Sequence, residues 1–166
     1  SKEYQNIVKE LGEESHLYRV NRFGKERVGI LKKFLKNKEK INYLDIGCST
    51  GFVVEAAKNS DWNAIGIDLN PSAVNFGKQR GLDLRNHSLD EVSFDKDFFD
   101  VISLFDVLEH LPDPKTIASQ ALRYLKSDGL IFIYVPNWDS ASRILMDKEA
   151  HFIWPTHHLN YYTPKT

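Results

Sequence analysis

The chain has 166 residues, 42% of them apolar, and one cysteine, which suits a single domain with its own core and excludes both a disulfide framework within the chain and a multi-cysteine metal site. Its 22 basic and 23 acidic residues nearly cancel, so no broad positive field recruits nucleic acid or an anionic membrane. The longest apolar stretch, Leu130 to Val135, has a strand's length and is far short of a membrane span.

Tyr4, Ile7, Val8 and Leu11 share one helical face, which Gly12 is expected to end. A second amphipathic helix is predicted from about Leu17 to Lys36, carrying Val20, Val28, Leu31, Phe34 and Leu35, and the lysines from Lys32 to Lys40 suit its C-terminal dipole. Strand-like and helix-like blocks then alternate: strand 42–47, helix from 51, strand 62–67, helix from 71, a short strand near 82–86, strand 99–105, helix from 114, strand 129–135. This alternation predicts an α/β fold with a doubly wound parallel sheet. Asn70-Pro71 and Asp113-Pro114 each set a capping side chain before a proline at the first helical position. Gly81 and Gly129 are expected to stop the helices before them. No internal repeat or signal segment is visible, and the chain is expected to be cytoplasmic.

In such sheets ligands sit beyond the carboxyl ends of the strands, which directs attention to Leu44-Asp-Ile-Gly-Cys-Ser-Thr-Gly51. Gly47 and Gly51 allow a strand-to-helix turn at positive φ and a close ligand approach. Asp68 closes the next apolar run about twenty residues on, the spacing of a carboxylate that accepts from ribose hydroxyls, although an acid there also simply ends a strand. The dinucleotide fingerprint Gly-x-Gly-x-x-Gly fails, because positions 47, 49 and 52 hold Gly, Ser and Phe. Phe52 would fill the place of a pyrophosphate, so an adenosine ligand without phosphates fits better.

At this point the chain resembles the class I S-adenosylmethionine-dependent methyltransferases, in particular the small-molecule group that includes the ubiquinone and menaquinone methyltransferases. The resemblance runs from about Tyr43 to Thr163. It is carried by the octapeptide, Gly66-Ile-Asp-Leu-Asn-Pro-Ser72, Phe99-Asp-Val-Ile-Ser-Leu-Phe-Asp-Val-Leu-Glu-His-Leu-Pro-Asp-Pro114, Leu125-Lys-Ser-Asp-Gly-Leu130, Val135-Pro-Asn137 and His158-Leu-Asn-Tyr-Tyr-Thr163, six motifs in order. It implies a Rossmann-like core whose segment Asp45, Gly47, Cys48, Ser49 and Gly51 holds the methionine part of S-adenosylmethionine, with Asp45 orienting the loop or the cofactor's ammonium. Ser49 stands where the family more often has glycine. The resemblance further implies Asp68 on the ribose and Leu69 against the adenine. Ser88 and Leu89 occupy the place where many relatives carry an acid for the adenine amino group, with Asp90 able to shift in. Phe105 and Asp106 are implied to lie beside the methyl-bearing sulfur, where a ring face attracts a cation, while Phe105 equally suits ordinary core.

Asp106, Glu109 and His110 form Asp-x-x-Glu-His, for which three readings stand. Glu109 and His110 brace the loop by hydrogen bonds; His110 is a general base oriented by Glu109 or Asp106; or these groups hold a divalent metal. The working expectation is no metal. After the fifth strand come Trp138, His151, Phe152, Trp154, His157, His158, Tyr161 and Tyr162, which suit an aromatic wall on the acceptor side with His157 or His158 near the acceptor, or a packed loop whose histidines bond to carbonyls. Cys48 has no partner cysteine and reads as a small buried hydrophobe.

The sequence therefore divides into an N-terminal helical cap (1–40), a cofactor-binding core (41–137) and an aromatic, His-rich acceptor-side segment (138–166), all within one structural domain. The expected function is methyl transfer from S-adenosylmethionine to an O, N or C atom of a small-molecule acceptor, with no nucleic-acid or membrane partner. The alternative is a catalytically weak cofactor-binding module in a regulatory or scaffolding role. Five strands are present without the antiparallel hairpin usual in the family, so the chain reads as a fragment, poor in turnover, whose exposed fifth strand favours a homodimer.

Overall fold

The computed structural model describes residues 12–35, 38–150, 153 and 157–165. Strands β1 (Asn42–Ile46), β2 (Asn63–Ile67), β3 (Asp83–Arg85), β4 (Phe99–Phe105) and β5 (Leu125–Tyr134) form one sheet in the order β3-β2-β1-β4-β5. Every pairing is parallel. Parallel strands need covered faces, and helical segments alternate with them: α1 (12–19), a π-helical turn (Val20–Gly24), α2 (Lys25–Lys32), α3 (Phe52–Lys58), α4 (Pro71–Gln79), α5 (Pro114–Tyr124) and α6 (Ala141–Met146). Tyr43, Val101 and Phe105 pack on one side of the sheet with Val20, Val28, Leu31 and Phe52. Leu44, Ile46, Ile102 and Leu104 pack on the other with Leu108 and Ala121. The strand order reverses between β1 and β4, which opens the crevice at their carboxyl ends.

The two capped helix starts form as the sequence demands. Asn70 Oδ1 accepts from the N–H groups of Ser72 and Ala73, and Asp113 Oδ1 accepts from Thr116 N–H. Gly81 follows α4 at φ +76° and supplies its stop.

Three expectations need correction. Gly12 is itself helical and is followed by helical residues through Lys32, so it does not stop a helix; the face of Tyr4, Ile7, Val8 and Leu11 lies outside the described residues. Phe34 sits in the turn after α2 and is exposed rather than packed, and Lys36 is outside the described residues. Gly129 does not end α5, which stops at Tyr124. Leu125 pairs with Phe99 and Leu130 with Val101, so five residues of β5 span what two residues of β4 span, and the excess bulges. A Cβ on Gly129 would stand 2.7 Å from Leu125 Cγ, which is why the bulge needs glycine there.

Candidate functional site

The octapeptide turn is held by the chain's own hydrogen bonds. Gly47 N–H and Cys48 N–H both donate to Ile67 O, and Ser49 N–H donates to Asp68 Oδ2 at 2.7 Å. Gly47 (φ +75°), Ser49 (φ +52°) and Gly51 (φ +79°) are all left-handed, so Ser49 adopts without a glycine the geometry the turn requires. A Cβ on Gly47 would stand 2.4 Å from Val107 Cγ2, and one on Gly51 2.9 Å from Leu82 and Leu84. Cys48 is buried, its thiol pushed up by burial and by Asp45 and Asp68, which leaves it inert.

A cleft of about 190 Å³ opens beside this turn, lined by Ile46, Gly47, Asp68, Leu69, Ser88, Leu89 and Val107, with His87, Leu111 and Ile117 completing its wall. Its lining is apolar apart from Asp68, His87 and Ser88, which suits a flat heterocycle with a polar sugar edge. Asp68 Oδ1 and Oδ2 accept from Asn70 N–H and Ser49 N–H, so the carboxylate is preorganised with lone pairs to spare. Leu69 is 70% exposed at the rim. Ser88 donates its hydroxyl to Glu91 Oε2, and Asp90 is engaged by Gln120, so Asp90 does not shift into the cleft. Phe52 departs from the sequence expectation: it packs into the core, with the Arg19 guanidinium over its ring at 4.2 Å.

Beneath the turn, Asp45 is buried at the end of β1 and does not line the cleft. Ser103 Oγ lies 2.6 Å from Asp45 Oδ1, and Tyr43 Oη 2.6 Å from Ser103 Oγ. Burial pushes the Asp45 carboxyl up to about 6 against the opposing pull of Ser103 and Arg27.

At the end of β4, Asp106 (φ +57°) turns to Arg27, whose guanidinium donates to it at 2.9 Å and lies 4.3 Å from the centre of the Phe105 ring. Arg19 and Arg27 both lie over the Phe52 ring, and burial, helped by the like charge of Arg27, lowers the Arg19 pKa. Asp106 consequently does not orient His110.

That ring is held by the His157 carbonyl, which accepts from His110 Nδ1 at 2.8 Å and leaves Nε2 as the acceptor nitrogen of the neutral ring. Leu159 and Asn160 N–H groups donate to Glu109 O, and Asn160 Nδ2 donates to the carbonyls of Leu108 and Leu111, so the 157–162 segment is clamped on the 3₁₀ turn Leu108–His110. The rings of His110 and His158 meet edge to face with centroids 4.7 Å apart, and those of Trp138 and Tyr161 likewise at 4.9 Å. Glu109 is 1% exposed with Oε2 unpaired, and His158 Nδ1 and Tyr161 Oη are also buried without a partner. Burial raises the Glu109 pKa, and nearby Asp106 adds to it. Ligand atoms of Glu109, His110 and His158 lie within 4.8 Å of one another. Of the aromatic segment, His151, Phe152 and Trp154 are outside the described residues.

Sequence reasoning missed Arg27, Ser103 and His87. His87 follows β3 and was accessible to the rule that found Ser88. Arg27 and Ser103 reach the site only through tertiary packing, 79 and 58 positions from their partners Asp106 and Asp45.

A doubly wound parallel sheet with a glycine turn, a fixed acid after its second strand and an apolar cleft between them defines a nucleoside-binding Rossmann-type domain. A family profile described as a methyltransferase domain matches residues 18–166, and the chain belongs to that family. It is 28% identical over 143 residues to a ubiquinone biosynthesis O-methyltransferase of Hydrogenovibrio crunogenus, covering 82% of this chain and 58% of that protein. It is 30% identical over 117 residues to one from Xanthomonas oryzae pv. oryzae, covering 66% and 49%. The chain thus spans about half the length of the curated relatives it matches. Among solved structures, a SAM-dependent methyltransferase from Archaeoglobus fulgidus matches with a TM-score of 0.68 and 23% identity over 85% of this chain and 62% of the other. The plantazolicin methyltransferase BpumL in complex with SAH matches with a TM-score of 0.71 and 19% identity over 97% and 66%. No helix among the described residues is long and apolar enough to cross a membrane.

Proposed function

We propose that this chain binds S-adenosylmethionine at the Gly47 turn and directs its methyl group to an O, N or C atom of a small acceptor held beside Leu108–His110 and the 157–162 segment packed on it. The observation that supports this most is Asp68, fixed by the N–H groups of Ser49 and Asn70 with acceptor capacity left, on the wall of an otherwise largely apolar cleft beside the Gly47 turn. In this reading Asp68 takes the ribose hydroxyls, Leu69, His87, Ser88 and Leu89 enclose the adenine, and Arg27 and Arg19 face the carboxylate of the methionine end. Bound there, the cofactor supplies an electrophilic methyl on a sulfonium that leaves as a neutral thioether.

The chain's own contribution is alignment and proton removal. His110 Nε2 accepts the acceptor's proton while His157 O holds Nδ1–H and stabilises the imidazolium. His158 and buried Glu109 stand behind it, and the segment around Trp138 and Tyr161 excludes water. His110→Ala is expected to lower the methyl-transfer rate by about 10²-fold or more with little change in S-adenosylhomocysteine affinity, the range for a general base. Equal loss of affinity and stability would mark His110 as a brace.

A second reading follows from the cluster of Glu109, His110 and His158, whose donor set of one carboxylate and two imidazoles suits a divalent metal. It requires a chelator to abolish activity and added metal to restore it; activity unaffected by a chelator removes it. The acceptor is proposed to be a small molecule rather than nucleic acid, and a methyl-transfer assay on an acceptor panel separates this enzyme reading from a binding module. Cytoplasmic location and pairing of two copies through β5 remain parts of the same proposal.

A further inference from the structure

A 3₁₀ turn as short as Leu108–His110 satisfies few of its own carbonyls, and these are met from the 157–162 segment. Asn160 reaches the most of them. Its backbone N–H donates to Glu109 O at 3.0 Å, and its side-chain Nδ2 lies 3.2 Å from Leu108 O and 2.7 Å from Leu111 O. Both neighbours of that nitrogen are carbonyl oxygens, which only accept, so the amide presents its NH₂ group there and gives one hydrogen to each. An aspartate of the same size has no hydrogen to give. Three residues earlier on the same segment, the His157 carbonyl faces His110 Nδ1 at 2.8 Å. A carbonyl cannot donate, so it fixes the proton of the neutral ring on Nδ1, whereas a free histidine side chain favours the proton on Nε2. Among the described residues no side chain hydrogen-bonds to either ring nitrogen: Asp106 is paired with Arg27, and His158 meets the ring edge to face.

We infer that Asn160 is a positioning residue that sets the tautomer of His110: its side-chain amide holds the 157–162 segment on the turn, so that the His157 carbonyl keeps the proton on Nδ1 and leaves Nε2 bare. The inference rests on the reading that His110 acts at the site. A bare Nε2 serves that reading as a base and equally as a metal ligand. Without the amide, the turn loses the donor shared by Leu108 O and Leu111 O, and the carbonyl that imposes the less favoured tautomer is no longer held against the ring.

The test is a long-range proton–nitrogen correlation spectrum of this chain with isotope-labelled histidine rings, in the presence of a chelator and at a pH above which no ring signal moves further. The nitrogen that carries the proton resonates well upfield of the bare one, so the spectrum reads the tautomer directly. His110→Gln picks its signals out of those of the six histidines. In wild-type protein Nδ1 is expected to be the protonated nitrogen of His110. Asn160→Asp keeps the size and removes both side-chain donors, and the proton is expected to pass largely to Nε2 while the amide signals of the sheet stay in place. Asn160→Ala, which brings no charge against the carbonyls, is expected to do the same. Tyr162→Phe removes a different donor to Leu108 O, at 3.3 Å, and is expected to leave the proton on Nδ1. A proton on Nε2 in wild-type protein overturns the inference without any variant having to fold. So does a tautomer unmoved by both Asn160 variants, or moved as far by Tyr162→Phe. Methyl transfer is read separately: with His110 as base, the Asn160 variants lower kcat by no more than the about 10²-fold of His110→Ala and leave S-adenosylhomocysteine affinity unchanged. A tautomer that moves while kcat does not overturns His110 as the base and leaves the role of Asn160 standing.

Discussion

Asp68 carries the largest share of the account at the scale of single residues. Its two oxygens already receive the N–H groups of Ser49 and Asn70, so under the proposed function a ribose diol would meet a carboxylate that needs no reorganisation. Asp68→Ala is expected to cost about 1.5 to 3 kcal/mol of S-adenosylhomocysteine affinity, the range for hydrogen bonds to a charged group. Titration calorimetry reads this, with circular dichroism to show that the turn has not unfolded; an unchanged Kd would remove Asp68 from the site. Gly47→Val tests the turn, since its Cβ would collide with Val107 at 2.4 Å and its φ of +75° is strained for a branched side chain. Binding is expected to fall below detection in a protein that still shows cooperative unfolding. Asp68 and the glycines were legible because chain spacing alone sets their positions. Arg27 was not, because nothing local in an amphipathic helix marks the one cation that will lie across Phe105.

Among the elements, capped helices and buried strands followed from side-chain chemistry, whereas the β5 bulge did not. Leu125-Lys-Ser-Asp-Gly reads locally as a helix end, yet the Phe99 to Leu125 pairing draws it into the sheet. The draw is electrostatic as well as apolar. Buried Asp100, at the start of β4, accepts from Lys126 at 2.9 Å, Lys38 at 3.1 Å and Asn42 N–H at 3.0 Å, tying the bulge to β1 and to the segment before it. Burial works against the Asp100 charge, but these three donors outweigh it and hold the carboxyl below its usual range. A depressed folded-state pKa means stability that is present above the unfolded value near 4 and is lost as pH falls through the folded one. Asp100→Asn is expected to destabilise the fold by about 1 to 3 kcal/mol at pH 7, since the two lysines are partly exposed and regain water, and to flatten the acid limb of the unfolding curve. Urea denaturation across pH measures both. Unaltered stability at pH 7 would show that the ion cluster contributes nothing net, while cofactor affinity is expected to stay the same because Asp100 lies at the opposite end of β4 from the crevice.

For the whole molecule, the open side of the sheet matters most. Among the described residues β5 is one of the two edges of the sheet, with Ile133 41% and Tyr134 54% exposed. Self-association of this chain is the expected consequence, read by light scattering over a range of concentrations; Ile133→Lys is expected to suppress it, and a monomer at every concentration would show the edge to be adequately protected. The central claim is that the crevice at the switch point binds an adenosine cofactor without phosphates. Calorimetric titration of this chain with S-adenosylhomocysteine, with NAD as the control, tests it most directly. One S-adenosylhomocysteine per chain and no measurable heat from NAD is the expected result. Binding of NAD in its place, or of neither compound, would contradict the account.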